Sequence, residues 1–116
     1  MDNRKDDQYF ARKIREDLAF IVLHTEHIDE DELGQDEVLL DSMMFRLIQI
    51  SENAKKLSDE YRNSRPAIPW TAIFGLRNRI VHDYGNVDLG IIYSTLKDGI
   101  PDLLKRMNEE ICTGEE

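Results

Sequence analysis

Phe10, Ile14, Leu18, Ile21, Thr25 and Ile28 follow one another at steps of four, four, three, four and three. Such steps return to one side of an α-helix, so they predict a first helix from about Asp6 to His27 with a single apolar stripe. The acids Asp29, Glu30, Asp31, Glu32, Asp36 and Glu37 then crowd a segment around Gly34. They predict a solvated turn leading into the next helix, whose N-terminus suits negative charge. Leu40, Met43, Leu47, Ile50, Ala54, Leu57 and Tyr61 alternate steps of three and four, the most regular pattern in the chain, and predict a helix from about Asp36 to Arg62. Two long helices with a short connection pack antiparallel most easily, and so regular a seam serves either a bundle or a second subunit.

Asn63 to Pro69 ends this helix, because each proline disfavours helical geometry in the residue before it, and Pro69 fits the first turn of the next. A third helix from Pro69 to His82 or Tyr84 carries Trp70, Ile73, Phe74, Leu76, Ile80 and Val81, a set broad enough to be mostly buried. Gly85 and Asn86 break it, and Asp88 is placed to cap a last helix with Leu89, Ile92, Leu96, Ile100, Leu103, Met107 and Ile111 on one side. Pro101 lies inside that run and predicts a kink near Gly99 or two abutting helices. The expected fold is all-α, a four- or five-helix up-and-down bundle.

Composition agrees with the pattern. At 116 residues, with 41% hydrophobic, 34% charged, 6 Gly and 3 Pro, the chain is expected to form one helical domain, residues 1–116. Cys112 alone forms no internal disulfide, and the N-terminus lacks a basic segment followed by an apolar run, so a cytoplasmic location is expected. The longest apolar stretch, Leu18 to Leu23, is about a third of what a membrane span needs.

The net charge of −9 opposes nucleic acid, but its distribution does not. From Tyr61 to His82 there are four arginines (Arg62, Arg65, Arg77 and Arg79) and no acid, while the remainder holds 11 basic and 24 acidic residues. This cationic stretch permits RNA binding without establishing it, and Arg79, Arg62 and Arg65 are candidate phosphate contacts.

His24 and His27, three apart near the end of the first helix, have a spacing that metal sites use, but no third ligand follows at a recognisable spacing; they read as solvated helix-end residues. No glycine-rich phosphate loop is present. The third helix offers more. At 100° per residue Arg77 and Tyr84 lie nearly on one line, and Asn78 and His82 share an adjacent face. On RNA such a group has a use: histidine moves the proton of a 2′-hydroxyl that attacks the adjacent phosphate, and arginine steadies the phosphorane's charge. The same residues could instead make ordinary surface salt bridges, with Tyr84 half-buried on the core. Spacing alone leaves both readings open.

The stretch Arg77 to Tyr84 resembles the Arg-x4-His-x-Tyr motif of HepT toxins, helical ribonucleases of the HEPN superfamily. Ile50 to Ser58, Ile68-Pro69-Trp70, Gly75-Leu76-Arg77-Asn78 and Val87-Asp88-Leu89 resemble the family's other blocks, in its order and spacing. The resemblance implies a homodimer whose motif helices face each other and form one metal-independent endoribonuclease cleft for mRNA or tRNA, needing no cofactor. It implies that Arg77 and His82 are the catalytic pair, with Asn78 as the polar residue that follows the arginine. It also implies an MntA-like nucleotidyltransferase antitoxin that silences the toxin by transferring AMP to Tyr84, where added bulk and negative charge oppose RNA phosphate. The sequence departs from the family where Gly85-Asn86 follows the tyrosine in place of an aromatic residue. It departs again where Ser51 and Asn53 replace the usual glycine and alanine. The competing expectation is a non-catalytic HEPN subunit that docks onto a nucleotidyltransferase, which the acidic remainder of the chain favours. A third is a structural helical adaptor.

Overall fold

A computed structural model of the chain describes residues 3–81 and 88–110. Those residues form eight α-helices: α1 Asn3–Thr25, α2 Glu30–Gln35, α3 Glu37–Lys55, α4 Asp59–Asn63, α5 Trp70–Phe74, α6 Leu76–Val81, α7 Leu89–Ser94 and α8 Ile100–Glu110. A π-helical turn, Thr95–Gly99, joins α7 to α8. No strand occurs among the described residues, and none of their helices is long and apolar enough to cross a membrane.

Helices α1 and α3 run antiparallel. Asp17, in the second half of α1, meets Arg46 and Gln49 of α3, whereas Asp7, near the start of α1, meets Ser58 beyond the end of α3. The core between them is the stripe read from the sequence: Ile14, Leu18 and Ile21 of α1 interlock with Met43, Leu47 and Ile50 of α3. The rod from α7 through α8 covers them with Leu96, Ile100 and Met107, and each of these nine side chains is at most 1% exposed. Burial of a side chain of this size stabilises by about 1.5–3 kcal/mol, which makes this layer the main source of cohesion. Helices α5 and α6 pack against the other flank of α3.

Helix α1 ends at Thr25, two residues earlier than expected, and its last carbonyls find a cation. Lys97 Nζ donates to the carbonyls of Thr25 (2.9 Å), Glu26 (3.1 Å) and Ile28 (3.3 Å). Thr25 is the last residue of α1 and Glu26 and Ile28 follow it, so the cation sits where the helix C-terminus and the turn beyond it present carbonyls.

The acid-rich segment is a helix, not a solvated turn. Asp29 and Glu32 form a reciprocal capping box, each side chain accepting from the other's backbone N–H at 2.8 Å. Leu33 is fully buried, and Gly34 lets α2 approach α7 so closely that a Cβ there would lie 2.7 Å from Leu89 Cδ2.

The helix expected over Asp36 to Arg62 is two helices. Asp7 on α1 accepts from the backbone N–H (2.8 Å) and the hydroxyl (2.7 Å) of Ser58, and Ser58 Oγ in turn accepts from the N–H of Tyr61. Ser58 thereby becomes the N-cap of α4, and the ladder of α3 stops at Lys55. The third helix also has an interruption, at Gly75, although its N–H still bonds to Thr71 O and its carbonyl accepts from Arg79 N–H. The kink expected near Gly99 takes the form of the π turn, closed by Ile100 N–H to Thr95 O. Pro101, with no N–H to offer, follows directly, and Thr95 Oγ1 bonds back to Ile91 O at 2.8 Å, a contact that also bends helices.

Candidate functional site

Helix α6 carries the first half of the motif. Leu76 anchors it in the core at 6% exposure, and the next three residues, Arg77, Asn78 and Arg79, are all exposed. Just before the motif helix, the end of α5 is held by Ser51, a buried residue of α3, whose hydroxyl donates to Phe74 O at 3.1 Å. This bond satisfies a carbonyl at the end of α5.

Arg77 Nε lies 3.4 Å from Glu52 Oε2, and both side chains are about half-exposed. Glu52 Oε2 also lies 3.8 Å from Lys55 Nζ. Arg79 borders a small cavity with Leu47, Leu76, Asp88, Ile91 and Ile92, so it stands between α3, α6 and α7. His82 and Tyr84, expected as catalytic and modification residues, lie outside the described residues, as does the Gly85-Asn86 break.

Two arginines expected to touch phosphate have other employment. Arg65 is only 5% exposed; its guanidinium carbon lies 3.6 Å from the centre of the Tyr61 ring, and Nη1 donates to Tyr61 O and Ser64 Oγ. Arg62 pairs with Asp59 and lies 5.2 Å from the centre of the Phe74 ring. The carbonyls of Arg62 and Arg65 both accept from the indole N–H of Trp70, at 3.1 and 3.2 Å. These residues build the corner between α4 and α5, so the acid-free stretch is partly a packing feature. Of its four arginines, Arg77 and Arg79 are the two whose side chains are exposed on the motif helix.

His24 stacks against Phe20 with ring centres 4.2 Å apart, and His27 is exposed beside Glu26. Among the described residues no three His, Cys, Asp or Glu side chains are arranged to hold a metal.

Three charged residues escaped the sequence reading, one of them, Glu52, at the site and two in the α1–α3 packing. Glu52 had a signal, since it lies inside the Ile50 to Ser58 block, but nothing in its spacing pairs it with an arginine 25 positions on. Buried Asp17 and partly exposed Arg46 form an ion pair at 2.7 Å, with Arg46 lying 3.8 Å over the Phe20 ring. The signal there was a lone aspartate beside the apolar stripe of α1.

Fold and motif together define the class, an all-α helical bundle of HEPN type with an exposed arginine on its motif helix. The family model "Ribonuclease HepT-like" matches residues 14–110, and the chain belongs to this family. Among curated proteins it is similar to a "Putative RNase" of Caldanaerobacter subterraneus subsp. tengcongensis, 29% identical over 105 residues that cover 90% of this chain and 94% of the relative. A "Putative RNase" of Methanocaldococcus jannaschii is 24% identical over 105 residues, 90% of this chain and 96% of the relative. The "Probable ribonuclease HepT" of Thermococcus cleftensis is 26% identical over 100 residues, 86% of this chain and 91% of the relative. No solved structure matches the chain.

Proposed function

We propose that this chain is the toxin of a toxin–antitoxin pair, a metal-independent endoribonuclease that works as a homodimer. The observation that carries the reading is that α6 of a HepT-like chain exposes Arg77, Asn78 and Arg79 in succession, five or fewer residues before His82. The catalytic pair is Arg77 and His82. In the reaction the 2′-oxygen of RNA attacks the adjacent phosphorus, its proton passes to a base, and the bond from phosphorus to the 5′-oxygen breaks as that oxygen takes up a proton. His82 is the group that exchanges protons, because imidazole titrates near neutral pH. Arg77 offers fixed donors to the phosphorane oxygens, and Asn78 orients the phosphate or the imidazole. Arg79 extends the cationic track. Arg62 and Arg65 are left out of the RNA contacts because packing already engages them.

In the same reading an MntA-like nucleotidyltransferase adenylylates Tyr84: the phenol oxygen attacks the α-phosphorus of ATP and pyrophosphate leaves. The modified tyrosine adds bulk and a negative phosphate to the motif, which opposes binding of RNA phosphate. Expression of the chain should arrest growth, and Arg77→Ala or His82→Ala should abolish the arrest. Equal toxicity from both variants contradicts the mechanism. The alternative, a non-catalytic subunit docking onto a nucleotidyltransferase, is favoured by the acidic surface. It predicts a stable complex that survives His82→Ala, and no cleavage.

A further inference from the structure

We propose that Glu52 is a positioning residue for Arg77, holding the guanidinium oriented for phosphate before RNA arrives; the inference rests on the nuclease reading above. Successive residues of α3 hold the end of α5 and the start of the motif helix that follows it. Ser51 holds the last residue of α5 through Phe74 O at 3.1 Å, and Glu52 pairs with the side chain of Arg77 on α6 at 3.4 Å. The contact is made at Nε, so the two terminal nitrogens of the guanidinium, the pair that clamps two phosphate oxygens, have no partner among the described residues.

The pair does little for the fold. Both side chains are about half-exposed, at 49% and 46%, and ion pairs of that kind contribute little to stability. Its effect falls on the arginine itself. Arg77 is a long, rotamer-rich side chain, and a carboxylate fixed on the rigid α3 restricts it before substrate binds, so less freedom is lost in reaching the transition state. The same carboxylate repels an incoming phosphate, and Lys55 at 3.8 Å moderates that repulsion. Orientation and repulsion act on different kinetic parameters. Removing Glu52 therefore lowers turnover without weakening RNA binding, a split that a purely structural residue does not produce.

The test is steady-state RNA cleavage in EDTA by wild type, Glu52→Ala and Glu52→Gln, with melting curves and NMR of the arginine Nε–H signals, Arg77 being assigned by its loss in Arg77→Lys. The expected result for Glu52→Ala is a fall in kcat of about ten-fold, a KM no higher than wild type and an unchanged melting temperature. Its Arg77 Nε–H signal should be exchange-broadened where that of wild type is sharp, and Glu52→Gln should fall between. A wild-type kcat in Glu52→Ala overturns the proposal, as does an unchanged Nε–H signal. If Arg77→Lys abolishes cleavage while Glu52→Ala does not, only the positioning role fails. If the wild-type chain leaves RNA intact, the nuclease reading fails, and an Nε–H signal indifferent to Glu52 overturns the positioning role separately.

Discussion

Asp7 binds Ser58 through both of its carboxylate oxygens, one on the backbone N–H at 2.8 Å and one on the hydroxyl at 2.7 Å. Asp7 is 7% exposed, so the start of α1 and the cap of α4 are locked across 51 positions of chain by a buried carboxylate. Replacing it by alanine leaves the part-buried Ser58 N–H without its acceptor and frees the cap. Asp7→Ala should lower stability by roughly 1–3 kcal/mol, measured by urea unfolding, and should be non-additive with Ser58→Ala. Simple additivity of the two variants would place the stabilisation elsewhere.

Lys97 closes the other end of α1. Its ammonium serves three carbonyls, and Tyr93 Oη donates to Ile28 O at 3.3 Å beside it. Lys97→Met keeps the aliphatic stem and removes the donors, so thermal unfolding should show a loss of about 1–2 kcal/mol. An unchanged melting temperature would mean that water serves those carbonyls equally well.

Asp17 is 1% exposed and depends on Arg46 at 2.7 Å and Gln49 at 3.3 Å. Arg46→Met strands a buried carboxylate and should cost about 3 kcal/mol by chemical denaturation. The double variant Asp17→Leu with Arg46→Met removes the stranded charge and should recover most of that loss. If the double variant is as unstable as the single one, packing of Arg46 on Phe20, not the charge, is what matters.

These anchors explain what was legible in the sequence. The apolar stripes of α1 and α3 could be read because burial repeats with the helical period, and the buried residues Ile14, Leu18, Met43 and Leu47 obey it. The break after Lys55 could not, because Leu57 and Tyr61 continue the period and the interruption comes from Asp7, far away in sequence. Helix α2 was hidden by its charge: six residues are too few to show a period, and its capping box and buried Leu33 outweigh five acids from Asp29 to Asp36. Arg77 and Arg79 were legible as exposed cations. Arg62 and Arg65 looked the same in sequence, and only the aromatic faces of Phe74 and Tyr61 distinguish them.

The composite cleft of the proposed function needs two copies. Light scattering at micromolar concentration should therefore give twice the 13.6 kDa chain mass. A purely monomeric chain would leave each cleft with half its residues and would contradict the dimeric reading.

The most direct measurement is cleavage of purified tRNA or total RNA in excess EDTA, comparing wild type with Arg77→Ala and His82→Ala. The predicted result is discrete cleavage by wild type and a loss of at least about 100-fold in both variants, the scale on which removal of a general acid–base or a charge-stabilising group acts. RNA left intact by the wild-type protein, or cut equally well by all three proteins, would contradict a ribonuclease built on Arg77 and His82.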